Sequence, residues 1–137
     1  MHDKINPETI KAFFCKDLFA AFVGIELTDA GEGRATARLK ICNHHRNGLG
    51  LVHGGAIFTL ADLAFAAAVN SHGRIAVAIN CSISYLKAAE GDVLVAEAHE
   101  VSCGPKIALY TIRVTDGAGE LIALFEGMAY RKKERWL

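Results

Sequence analysis

The chain lacks an excess of charge of either sign: 15 basic residues stand against 15 acidic ones, and the formal net charge is zero. Nucleic-acid and membrane-surface binders depend on a cationic face, so neither partner is expected. The opening residues, MHDKINPETIK, lack the apolar run and small-residue cleavage site of a secretory leader, and a cytoplasmic location is expected. The apolar stretch 56–69 is shorter than the ~20 residues of a membrane span and is interrupted by Asp62. Close cysteine spacing is also missing. Cys15, Cys42, Cys81 and Cys103 stand singly in apolar segments and read as reduced core residues rather than a disulfide or metal framework. Repeats, linkers and low-complexity tracts are absent, so residues 1–137 read as one domain. A domain of this size buries roughly two-thirds of the surface its unfolded chain exposes.

What is present is a change of period along the chain. Asn6 followed by Pro7 suits a helix start, and Ile10, Phe13, Phe14, Leu18 and Phe22 continue at helical spacing toward Gly24, predicting one amphipathic helix within residues 1–23. In residues 34–41, Ala35, Ala37, Leu39 and Ile41 alternate with Arg34, Thr36, Arg38 and Lys40, the pattern of a strand with one wet face. A polar loop, CNHHRNGLGLV, then leads into HGGAIFTLADLAFAAAVNSHG. That segment predicts a central helix over 55–72, apolar nearly all round and therefore enclosed by other elements. Residues 74–131 alternate or are β-branched in four runs, near 74–86, 92–103, 107–115 and 120–130, with hairpin breaks at AAEGD, CGP and DGAG. Helix followed by meander gives an α+β plan in which an antiparallel sheet curls around one buried helix.

Asp62 is the one formally charged residue between Gly54 and Ser71. A carboxylate there either lies on a narrow polar stripe with Thr59, or faces a pocket whose apolar walls raise its pKa while the helix N-terminus lowers it. Just upstream, Asn47, His53, Gly54 and Gly55 enter the same helix. Glycines let backbone N–H groups approach a ligand, and N–H groups at a helix start suit a developing oxyanion.

Asn47, five intervening residues, His53-Gly54-Gly55, and Asp62 eight positions after Gly54 resemble the signature of hotdog-fold thioesterases of the phenylacetate-degradation (PaaI-like) group. VAINCSISYLKAAEGD, CGPKIALYTIRVTD and GELIALFEGMAYRK resemble that group's later strands, so the likeness covers about residues 24–132. The resemblance implies hydrolysis of aryl- or short- to medium-chain acyl-CoA, with Asp62 as general base or nucleophile and the Gly54 N–H as oxyanion donor. Asn47 would orient water or substrate, and His53 would hold the loop. It also implies a homodimer whose sites are shared between subunits, and a homotetramer of dimers. Gly55 belongs to the same substrate-binding loop, and Lys106, after Gly104-Pro105, aligns with a turn near the nucleotide end of coenzyme A. Lys87 and the Arg131-Lys132-Lys133 cluster are weaker candidates for that contact. Some relatives carry a hydroxyl residue on the strand after the helix, where this chain has Ala76, Val77 and Ala78.

Phe58, Leu60, Phe65 and Tyr85 are available to wall the acyl pocket. The proposed chemistry requires no metal or redox cofactor. His44-His45 lacks a third ligand at recognisable spacing, while His72 at a helix end and His99 on an outward strand phase read as structural. Two other functions fit the fold. A hotdog dehydratase or hydratase would abstract a proton from carbon, and Asn47 with His-Gly-Gly argues against it; a non-catalytic acyl-CoA-binding protein could dispense with Asp62.

Overall fold

Local capping sets the first elements. In the computed structural model, which describes residues 5–137, Asn6 Oδ1 accepts the Thr9 N–H at 3.0 Å and Pro7 opens helix α1 (Pro7–Phe14). The expected single helix is two. Asp17 Oδ1 accepts the Ala20 N–H at 3.0 Å and starts α2 (Leu18–Val23), which ends at Gly24 with a left-handed φ of 99°. The break rotates the second half of the apolar series, so Leu18, Phe19 and Phe22 end up exposed instead of completing one buried face.

Strand β1 (Ile25–Gly31) follows, in a segment where the sequence reading placed no strand. A bulge between Leu27 and Asp29 interrupts its alternation, and its pairing with β2 (Arg34–Lys40) makes it a strand. A 3₁₀ turn (Asn43–His45) and a loop lead to α3 (Gly54–Val69), extended by a second 3₁₀ turn (Asn70–His72). Then come β3 (Arg74–Tyr85), β4 (Val93–Cys103), β5 (Ile107–Thr115) and β6 (Leu121–Arg135), the last running beyond residue 130. The six strands form one antiparallel sheet in the order β1-β2-β4-β5-β6-β3.

The sheet wraps α3, which packs on β2, β4 and β5 above all. Alanines at 37, 96, 98 and 108 on the sheet, and at 61, 64, 67 and 68 on the helix, are fully buried and let the two layers approach closely. Phe65, Tyr110, Ile112 and Phe125 fill the remaining volume, each large apolar side chain contributing about 1.5–3 kcal/mol by burial. Gly127 makes one of these fits possible, since a Cβ there would lie 2.7 Å from Phe65 Cε2. Helix and turn together, Gly54–His72, span 19 residues that are long and apolar enough to cross a membrane. Length therefore does not distinguish this helix from a span. Its enclosure by the sheet does.

The sheet's two edges differ. α1 and α2 pack against β1, whereas Val77, Ala78, Ile79 and Asn80 at the middle of β3 are exposed. The cysteines depart from the core reading: all four are free thiols, Cys15 and Cys42 exposed, Cys81 and Cys103 half-buried. Cys15 follows α1 and Cys42 opens a turn, so both lie outside the layers that exclude water.

Candidate active site

The entrance to α3 is held by side-chain to backbone bonds that leave one donor unspent. His53 is the N-cap, and its Nδ1 accepts the Gly55 N–H at 2.8 Å. Glycine at 55 permits that approach, because a Cβ would sit 3.0 Å from His53 Nδ1. The Ala56 and Ile57 N–H groups donate to the His53 carbonyl. Among the described residues the Gly54 N–H has no hydrogen-bond partner. Tyr85 closes over this glycine: its hydroxyl donates to Gly54 O at 3.0 Å, and a Cβ on Gly54 would lie 3.2 Å from the phenol carbon and oxygen.

Asn47 is a loop organiser with a free amide group. Its Oδ1 accepts from Leu49 N–H at 2.9 Å and Leu51 N–H at 3.1 Å, and its own N–H donates to Leu51 O at 2.7 Å. Two backbone donors on one side-chain atom identify that atom as oxygen, so the NH₂ remains as a donor. Asn47, Gly54 and Tyr85 line one cavity of about 340 Å³ with Leu51, Ile57 and Lys87.

His53 lines a separate cavity of similar size, between the α3 entrance and exposed Phe19 and Phe22 of α2. Its floor is anchored by His45. Nδ1 of that buried ring accepts the Cys42 N–H, which leaves the proton on Nε2 to donate to Val23 O at 2.6 Å. Both nitrogens are thus committed to backbone, and the ring of exposed His44 lies tilted against it, with centroids 4.1 Å apart.

Asp62 lines neither cavity. It lies on the partly open stripe Gly55, Thr59, Asp62, Ala66 of an otherwise buried helix, at the spacing of one helical face. Thr59 spends its hydroxyl on Gly55 O at 2.7 Å. Burial raises the Asp62 pKa above the usual carboxylate range, and the negative Asp17 raises it further. The Cys81 thiol on β3 is pushed up by burial and then by the Asp62 charge. Asp17 escaped the sequence reading. Its signal in the sequence is an N-capping aspartate directly before LFAAFV, hidden within an apolar series that keeps helical spacing across it.

The other named residues separate from this group. Phe58 packs edge-on against Phe125 at 5.2 Å, and Leu60 and Phe65 are fully buried, so of the four expected pocket walls Tyr85 alone lines a cavity described above. The helix turns the other three toward the sheet. Gly104 forms a tight turn, its N–H donating to Ile107 O at 2.8 Å and its carbonyl accepting from Arg131 Nη1 at 2.7 Å. Lys106 is exposed beside it, in a basic cleft with Arg74, Arg131 and Lys133. Arg74 begins β3 and Tyr85 ends it, so within one chain the basic cleft stands about 36 Å of strand away from the Gly54 cavity. His99 is exposed on β4, 3.9 Å from Glu97.

Residues 49–123 match the family model described as "Thioesterase superfamily". The chain is 45% identical over 129 residues to a putative esterase of Archaeoglobus fulgidus, covering 93% of this chain and 84% of that one. It is 36% identical over 121 residues to the acyl-coenzyme A thioesterase PaaI of Escherichia coli, covering 88% and 86%. The solved structure of the E. coli PaaI protein superposes with a TM-score of 0.86 over 90% of this chain and 91% of that one. A thioesterase protein of Streptococcus pneumoniae solved with coenzyme A superposes with a TM-score of 0.82 at 28% identity, over 90% and 98%. With its antiparallel sheet wrapped around a central helix and these relatives, the chain belongs to the thioesterase superfamily, as a PaaI-like thioester hydrolase of the hotdog fold.

Proposed function

We propose that the protein hydrolyses acyl-CoA thioesters at sites completed by two subunits. The observation that carries the reading is the unspent N–H of Gly54, held by Tyr85 beside the free amide of Asn47, with Asp62 set apart on the same helix. The Gly54 N–H and the helix start behind it would stabilise the negative charge that develops on the thioester oxygen. Asn47 would donate to the substrate or to the attacking water. Asp62 would take a proton from that water, or attack the carbonyl directly; the carbon–sulfur bond then breaks and coenzyme A leaves as thiolate to be protonated. This chemistry calls for no metal or redox cofactor. The acyl-CoA class is supported by PaaI of E. coli and by the coenzyme A held in the S. pneumoniae protein.

The bare edge of β3 supports shared sites. An exposed strand edge presents unpaired backbone groups, and a second copy pairing antiparallel along it would extend the sheet. A two-fold through the middle of β3 lays the Arg74 end of one chain beside the Tyr85 end of the other. Asp62 of one subunit then approaches Asn47 and Gly54 of its partner, and the basic cleft with Lys106 comes within reach of coenzyme A phosphates. Dimers would pair further into a tetramer in the cytoplasm.

The test is complementation. Asp62→Ala and Asn47→Ala proteins should each be nearly inactive on a panel of acyl-CoA substrates followed by thiol release. Mixed under subunit exchange, they should recover toward a quarter of wild-type activity, because about half of randomly formed dimers are mixed and each holds one intact site. Verified exchange without recovery would refute the shared site. Active Asp62→Ala protein would refute the role of the carboxylate.

A further inference from the structure

The C-terminal end of α3 carries a group of side chains that thioester hydrolysis leaves unused. His72, Glu100 and Cys103 bring an imidazole nitrogen, a carboxylate oxygen and a sulfur within 4.8 Å of one another. A regular strand would not do this. Residues three apart point to opposite faces, but β4 has a bulge between Glu100 and Ser102, and the extra residue turns Glu100 and Cys103 to the same side. The 3₁₀ turn after α3 then lowers His72 onto them.

The surroundings match what a bound cation needs around its ligands. His72 Nε2 meets Glu100 Oε1 at 2.6 Å, with the two side chains only 18% and 31% exposed. Its other nitrogen, Nδ1, faces Glu32 Oε1 at 3.8 Å, and exposed Glu32 is free to close that gap. A carboxylate behind a ligating imidazole fixes its tautomer and raises its basicity. Tyr110, fully buried, donates its hydroxyl to Glu100 Oε1 at 2.8 Å and so orients the carboxylate from beneath. A histidine–glutamate ion pair alone would need neither the bulge nor the thiol.

We propose that His72, Glu100 and Cys103 form a three-ligand site for a divalent cation of the zinc class, with solvent in the fourth position. Mixed nitrogen, sulfur and oxygen donors suit a borderline-soft ion. One thiolate and one carboxylate neutralise its two charges, and binding expels the thiol proton. Tetrahedral bonds of 2.0–2.3 Å place donors roughly 3.3–3.8 Å apart, so the widest gaps in the group close by about 1–1.5 Å while the 2.6 Å His72–Glu100 contact opens by about 1 Å as the cation takes the place of its proton. The site lies about 27 Å along the helix from Gly54, so its role is to tie turn and sheet together.

Cobalt(II) is the probe. Added to the metal-free full chain under anaerobic conditions, it should give one equivalent of intense tetrahedral visible bands and a near-ultraviolet thiolate charge-transfer band, both displaced by zinc. Cys103→Ser should abolish the charge transfer, His72→Ala should weaken binding at least 100-fold, and Glu32→Gln roughly 10-fold. Circular dichroism checks that each variant is folded. A protein with Cys15, Cys42 and Cys81 all changed to serine keeps Cys103 as its single thiol and should keep the band. Absence of charge transfer in the wild type, its persistence in Cys103→Ser, its loss in the single-thiol protein, or full affinity in His72→Ala would each overturn the site.

Discussion

The two ends of α3 face the same accounting problem, because every helix terminus leaves backbone groups without intrahelical partners, and they resolve it in opposite ways. At the C-terminal end, partners crowd in. Asn70 Nδ2 donates to Ala66 O, its Oδ1 accepts from Ala76 N–H, Ser71 Oγ donates to Ala68 O while accepting from Gly33 N–H, and Trp136 Nε1 donates to Asn70 O. At the N-terminal end, His53 satisfies Gly55 and leaves Gly54 without a partner among the described residues. One end spends its polar groups on stability. The other keeps a donor available, and a half-buried carboxylate follows two turns on, both at a cost to stability.

The sharpest break in this contrast is Asp62→Asn. It should cut turnover by roughly 10²–10⁴, the range for a positioned acid or base, measured by thiol release under saturating substrate. Stability should move the other way. Burial raises the Asp62 pKa, so between the unfolded and folded pKa values the native state holds a proton that the unfolded chain has released. The resulting destabilisation is fully present above the folded pKa and disappears below the unfolded one. Asp62→Asn should therefore melt higher than wild type at neutral pH, with the gap closing as pH falls through the raised pKa. An unchanged gap would mean that the carboxylate is not held at a cost.

Asn70→Ala attacks the satisfied end. It strands the N–H and C=O of Ala76, while the Ala66 carbonyl keeps the backbone N–H of residue 70, and should lower unfolding free energy by about 2–3 kcal/mol while turnover per folded molecule stays within a factor of about two. Denaturant titration and active-site-normalised rates separate the two readouts. If turnover falls as far as stability, the two ends are coupled through the helix.

Tyr85→Phe removes one hydroxyl at the open end and keeps the ring over Gly54. A lost neutral hydrogen bond is worth about 1 kcal/mol, so turnover should drop roughly 3- to 10-fold with little change in melting. Equal activity would remove Tyr85 from the set that positions Gly54. Asp17→Asn gives the smallest effect. With the second cause of the Asp62 shift removed, its pKa falls, and if Asp62 is the group that titrates in turnover the acid limb of the pH–rate profile should move to lower pH. A limb that stays in place would leave burial as the whole cause.

Hydrophobic period and turn chemistry made the central helix, four long strands and their hairpin breaks legible, and the spacing of Asn47, His53-Gly54-Gly55 and Asp62 pointed to the family. The division of the first helix at Asp17 was present as a capping residue but was outweighed by an apolar series that continues across it. β1 was hidden because its bulge disrupts alternation.

What the sequence determined by itself was whatever depends on near neighbours: strand phase, the helix with one charge in it, and the order of residues at its entrance. Tertiary structure decided everything that joins distant positions. It placed Tyr85 on Gly54 across 31 residues, Asp17 near Asp62, His72 on Glu100, and Phe58 edge-on against Phe125. The reason is physical: period records which face a residue takes, whereas which other face it meets is set by sheet order and by a bulge that shifts register by one residue.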